Sequence, residues 1–336
     1  MNEVIESNCS EKEDRQRKAI ITVEGQFLCC YANIFSDFSD WDNQKLLLEH
    51  TILHELNRKF AVKRSYQINF LKKWIETLEK GFYEVHDKVY EELCRLQSLP
   101  DDPEEQTFKH YSLPKFAETF SMRESKSFVA NGTTGLCTWQ ASLALSNWIL
   151  SNQDYVRGRA VLELGAGTGL LGFVASKCCG ARKMILSDGS PKVMSLLNEN
   201  LNMNFGNAEK LAEEANFTLL KYDQQEIGTL MLLWEDVERS EIGKYIRPEV
   251  ILAADVVYDF SSFKPLINTL EYIFQKSSKD CLLILASTIR NERTLRDFEQ
   301  SLALIDGCRP QRQRYDSAIV QGQNCIVGLR PLGGNT

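Results

Sequence analysis

The sequence predicts an α/β fold, a mostly parallel sheet covered by helices on both faces, joined to an N-terminal helical annex. Three observations lead there. Beyond residue 108, short apolar runs alternate with helical patterns, the order of a parallel sheet buried on both sides. One of those runs, Ala160–Leu164, passes directly into Gly165-Ala166-Gly167-Thr168-Gly169. Between about residues 41 and 98 the apolar period is instead three to four, as in amphipathic helices.

Taken in order, residues 1–18 are polar and read as a disordered tail. Residues 19–100 read as a helical domain and 108–336 as the sheet domain. In the annex, Ile68, Leu71, Trp74, Ile75 and Leu78 form one stripe, and Phe82, Val85, Val89 and Leu93 a second after Gly81. Lys72, Lys73, Glu76 and Glu79 fill the other faces. Two or three helices follow, either packing on the sheet domain or recruiting a substrate. The acidic, breaker-rich run Leu99–Glu105 marks the domain boundary.

In the sheet domain the candidate strands are Ala160–Leu164, Met184–Ser187, Thr229–Leu233, Val250–Ala254 and Leu282–Ala286. Helical patterns such as Pro191–Asn202 and Phe263–Phe274 lie between them. Asp316–Val320 and Cys325–Leu329, around Gly322, fit a closing antiparallel hairpin.

Composition narrows the function. Hydrophobic residues make up 43% and charged residues 25% of the 336, as in soluble globular proteins. A net charge of −7 argues against an electrostatic grip on nucleic acid, which needs a basic surface. The ten cysteines contain no CxxC pair and lie mostly far from His50, His54, His86 and His110, so no metal site is expected. The first 18 residues lack the apolar core of a secretory signal. No apolar run approaches the ~20 residues that span a bilayer. The expectation is a monomeric cytoplasmic protein with reduced thiols, bound neither to membrane nor to nucleic acid.

The glycine run has a physical logic. The chain must turn sharply from strand to helix while a ligand approaches the backbone, and a Cβ would stand in the way. The helix that follows offers free N–H groups. A dinucleotide fold needs GxGxxG, whose third glycine would fall at Leu170; the spacing here is GxGxG, with Glu163 two residues ahead. Asp188 ends the next strand about 20 residues on, where a carboxylate can accept ribose hydroxyls. A lone GxGxG also fits a plain strand–helix turn; Glu163 and Asp188 together point past that.

These residues resemble the class I S-adenosylmethionine methyltransferases, whose fold is a seven-strand Rossmann-like α/β domain. The resemblance implies that Gly165, Ala166, Gly167 and Gly169, with Glu163, line S-adenosyl-L-methionine and that Asp188 holds its ribose. Gly132–Ala141, containing TGLCTW, is similar to the segment before the first strand in the protein-lysine branch, methyltransferase family 16. By that likeness Trp139 sits against the cofactor. Trp234-Glu235-Asp236 matches, less closely, a place where the branch carries a tryptophan near adenine. Ala253–Tyr258 reproduces its AD-x-x-Y motif, which implies Ala254 beside the cofactor and Asp255 and Tyr258 as catalytic. NGTTGLCTW, ILAADVVYD, Ala286–Glu292 and FLKKWIE are similar to members that methylate elongation factor 2, which implies a protein substrate. The chain departs from them in a longer insert around Glu209–Glu226. Other expectations stay open: methylation of another protein, an RNA or a small molecule, or a cofactor-binding regulator without chemistry.

Overall fold

In the computed structural model, residues 39–101, 106–125, 134–257, 260–278, 280–290, 292–303, 305, 308–315 and 324–331 are described. They fall into two compact units, Met1–Lys126 and Ser127–Thr336. The tail at 1–18 lies outside the described residues.

Among the described residues the first unit holds four helices, α1 (Trp41–His50), α2 (Glu55–Lys59), α3 (Arg64–Lys80) and α4 (Asp87–Ser98). α3 buries Phe70, Leu71, Trp74, Ile75 and Leu78, the predicted stripe moved round to include Phe70 while Ile68 stays at its margin. The second stripe is corrected at its start. Phe82 belongs to no helix: it follows the Gly81 turn with φ +60 and is 98% exposed. Val85 and Val89 are buried, with Leu93 packed against them. An antiparallel hairpin, β1 (Thr107–Leu113) and β2 (Glu118–Glu124), completes the unit. The sequence reading drew the boundary at 99–105; the structure groups this hairpin with the helices.

Buried amides organise this unit. Gln44 donates to the carbonyls of Ser39 and Glu84, both at 2.8 Å, and accepts the His86 amide at 2.8 Å. Asn57 donates to Ile52 O at 2.8 Å and accepts the Val62 amide at 3.0 Å.

Among the described residues the second unit is built on a nine-stranded sheet. Its strands are β3 (Ala160–Leu164), β4 (Lys183–Asp188), β5 (Glu209–Glu214), β6 (Phe217–Tyr222), β7 (Gln225–Met231), β8 (Val250–Ala254), β9 (Leu282–Thr288), β10 (Cys308–Tyr315) and β11 (Asn324–Pro331). The order is β10-β11-β9-β8-β3-β4-β7-β6-β5. β7-β4-β3-β8-β9 run parallel, and β11 and β10 close the far side antiparallel. These seven are the expected sheet; β5 and β6 are a hairpin added outside β7, made from the insert read at 209–226. The third strand is shifted, covering 225–231 rather than Thr229–Leu233. The first tail strand lies at 308–315, and 316–320 fall outside the described residues.

The α-helices among the described residues of this unit are α5 (Gln140–Ser151), α6 (Leu170–Lys177), α7 (Pro191–Asn204), α8 (Ile242–Tyr245), α9 (Phe263–Lys276) and α10 (Glu292–Ala303). The chain leaves β3 toward β4 on one side and later returns to β8 on the other, so the strand order reverses beside β3. In open α/β sheets ligands bind at the carboxyl ends of strands at such a point. No described helix is long and apolar enough to cross a membrane.

Candidate active site

β3 is wholly buried and ends at Leu164, after which Gly165, Gly167 and Gly169 take φ of +65°, +55° and +93°. L-residues rarely adopt this left-handed region. A Cβ on Gly165 would stand 2.7 Å from Val256, and one on Gly169 would stand 2.5 Å from Leu197. The first glycine thus keeps space open beside the sheet edge, and the third lets α6 start against α7.

Asp188, at the end of β4, holds the loop from outside. Its carboxylate accepts the Gly167 amide at 3.2 Å and the Ser190 amide at 3.0 Å. Burial raises its pKa, opposed by the amides of Ser190, Gly167 and Gly189. A carboxylate has about four acceptor positions. With three amides on it, Asp188 has room for about one more donor, so gripping both ribose hydroxyls would require an amide to yield.

Trp139, Glu163, Gly165, Ala166, Gly167, Asp188, Trp234, Ala254 and Asp255 line a single cavity of ≈ 350 Å³, within the range of small-molecule sites. Gly169 shapes the turn without lining it. Tyr258 lies outside the described residues. Trp139 occupies the position just before α5, and its Nε1 donates to Thr134 O at 2.8 Å. Trp234 opens a 3-10 helix (Trp234–Arg239) after β7; its ring edge would be 3.8 Å from a Cβ on Gly165. The two tryptophans therefore reach the cavity from separate segments.

Glu163 is buried on β3 at 1% exposure. Burial pushes its pKa up to about 8, against the pull of the Gly172 amide. Its Oε2 has no hydrogen-bond partner, and a buried unsatisfied oxygen costs about 1–3 kcal/mol. This oxygen, with the glycine cradle that a Cβ would fill, fits a ligand that brings its own donor. Among the described residues no group of three or more His, Cys, Asp or Glu can hold a metal ion.

Asp255 follows β8 with φ +55, a strained conformation for a residue with a side chain. Its carboxylate accepts the Thr288 amide at 2.8 Å, the Thr288 hydroxyl at 2.9 Å and Arg290 Nη2 at 3.2 Å. The Arg290 guanidinium also lies 5.0 Å from the centre of the Trp139 ring. Sequence reading missed Thr288 and Arg290 as site residues. It also missed the pair Thr138–Thr168, whose hydroxyls meet at 2.8 Å under the loop. The one signal available was order: β8 and β9 pair in parallel with Ala254 opposite Ala286, so residues just past each strand must meet.

A family profile described as lysine methyltransferase matches residues 128–302. Human protein-lysine N-methyltransferase EEF2KMT is 30% identical over 268 residues, 79% of this chain and 78% of that protein. The mouse protein of that name is 30% identical over 259 residues, 76% of this chain and 74% of its own. Protein-lysine N-methyltransferase EFM3 of Chaetomium thermophilum is 32% identical over 249 residues, 69% of this chain and 70% of its own. The profile spans just over half of the 336 residues and covers every strand from β3 to β9 with its glycine turn. The chain belongs to the lysine methyltransferase family and is an S-adenosylmethionine-dependent protein-lysine methyltransferase.

Proposed function

We propose that this enzyme methylates a lysine of elongation factor 2, in the cytoplasm and as a monomer. The observation that supports the substrate is the 30% identity, across 79% of the chain, to a relative named for that reaction. We assign Trp139, Glu163, Gly165, Ala166, Gly167, Gly169, Asp188, Trp234 and Ala254 to the cofactor, and Asp255 and Tyr258 to the target amine. The unit before residue 127 is our candidate for recruiting the protein substrate.

When bound, the cofactor supplies an electrophilic methyl on a sulfonium. The protein's task is to align an amine lone pair with it and exclude water. At pH 7.4 only about one free lysine in a thousand is neutral, a cost of about 4 kcal/mol. A buried channel reduces that cost by disfavouring the charged form. Asp255 suits positioning better than proton removal. Three donors already occupy its carboxylate, leaving about one acceptor position for an amine N–H.

The test is transfer of label from S-adenosylmethionine into a cytosolic extract. A labelled protein of elongation-factor size supports the reading. Label in another protein, RNA or a metabolite redirects the substrate, and no label at all speaks for a regulator.

A further inference from the structure

We infer that Arg290 is a positioning residue for methyl transfer: its guanidinium offsets the charge of Asp255 at the cavity wall and so lets the incoming lysine give up its proton. This rests on the reading that Asp255 faces the target amine. Two contacts define the position. Arg290 Nη2 lies 3.2 Å from Asp255 Oδ2, and the guanidinium lies 5.0 Å from the Trp139 ring centre. Asp255 and Trp139 both line the cavity, whereas the Arg290 side chain is 48% exposed. The guanidinium therefore sits on the solvent side of two wall residues and touches both.

The charges facing the cavity make this contact matter. Asp188 comes from the end of β4, Glu235 from the 3-10 helix and Asp255 from beyond β8, while Glu163 on β3, its pKa pushed up to about 8 by burial, is mostly uncharged near pH 7. Cys137, ahead of α5, adds a thiol, and no described lining residue is a lysine or arginine. Such a wall draws a lysine in but holds it as the ammonium, which has no lone pair to offer. A carboxylate at contact distance raises an amine's pKa, and a nearby cation lowers it. Paired with Arg290, Asp255 is neutral as a unit yet still accepts a hydrogen bond. A guanidinium suits the place because it stays charged and its plane can lie against an indole while one edge meets a carboxylate.

The test compares wild type, Arg290→Gln and Arg290→Lys. Tritium is transferred from labelled cofactor into extract of cells grown with a methylation inhibitor, at several pH values between about 6.5 and 9.5. The labelled band gives the pH profile whichever protein carries it, so an acceptor other than elongation factor 2 would sink that substrate and leave this inference testable. For Arg290→Gln the acid limb should move up by about one pH unit, an approximately tenfold loss near pH 7 that is largely recovered at high pH. Arg290→Lys should keep the wild-type limb at a lower maximum. Equal loss at every pH, or undiminished activity, would overturn the inference. Loss of cofactor affinity by calorimetry would overturn it as well, by moving Arg290 into the cofactor's own contacts.

Discussion

Gln44 and Asn57 in the helical unit and Glu163 and Asp255 in the sheet unit are buried polar side chains used in opposite ways. In the helical unit Gln44 and Asn57 each turn their amide toward neighbouring backbone and are satisfied there. In the sheet unit Glu163 keeps an oxygen buried without a partner, and Asp255 is held at φ +55. The first pattern stabilises a fold. The second carries a cost that a binding site can recover when a ligand supplies the missing donor.

That contrast can be broken by substitution, and the largest effect belongs to the strained aspartate. Asp255→Ala should lower methyl transfer by roughly 10²–10³-fold, the scale of one lost preorganised contact, with cofactor affinity nearly intact by calorimetry. A parallel fall in affinity would move Asp255 to the cofactor. Gly169→Val comes next, because its Cβ would meet Leu197 at 2.5 Å in a left-handed backbone. A loss of about 3 kcal/mol is expected in thermal denaturation of the sheet unit.

In the helical unit, Gln44→Ala strands one amide and two carbonyls. It should cost about 1–3 kcal/mol and leave cofactor affinity unchanged; a change in affinity would erase the division of labour. The last effect is a dependence on pH. The folded pKa of Glu163, about 8, exceeds its ordinary 4.5, so between those values the folded chain binds more protons than the unfolded one. Stability from this group is fully present below pH 4.5 and is lost as the pH rises through 8. Glu163→Gln should therefore gain in Tm relative to wild type at the alkaline end of that window, with little gain at the acid end. Parallel Tm curves would show that Glu163 does not titrate there.

What the sequence disclosed was whatever is contiguous along it. The turn Gly165–Gly169 needs its glycines within one segment, and Asp188 is tied to it by strand length. The β5–β6 hairpin was opaque because Glu209–Glu214 is acidic and mostly exposed, without the alternation that marks a strand. Leu232 and Leu233 extended an apolar run past the true end of β7 at Met231; Leu232 is buried in the core, whereas Leu233 is exposed. Phe82 continued a helical period through a turn because periodicity does not register backbone sign. Arg290 is 35 residues from Asp255; only the side-by-side ends of β8 and β9 bring them together.

The added hairpin has a consequence for how the sheet opens. With β6 paired along Phe217–Tyr222, β7 is an interior strand, and the exposed margin passes to Glu209–Glu214, where Lys210 pairs with Glu213 and Glu214 with Lys244. Charged margins resist pairing with a second chain. Backbone deuterium uptake should therefore begin at 209–214 and reach 225–231 only when the whole sheet unfolds, so the strand that leads into Trp234 is protected by a segment that lines no part of the cavity.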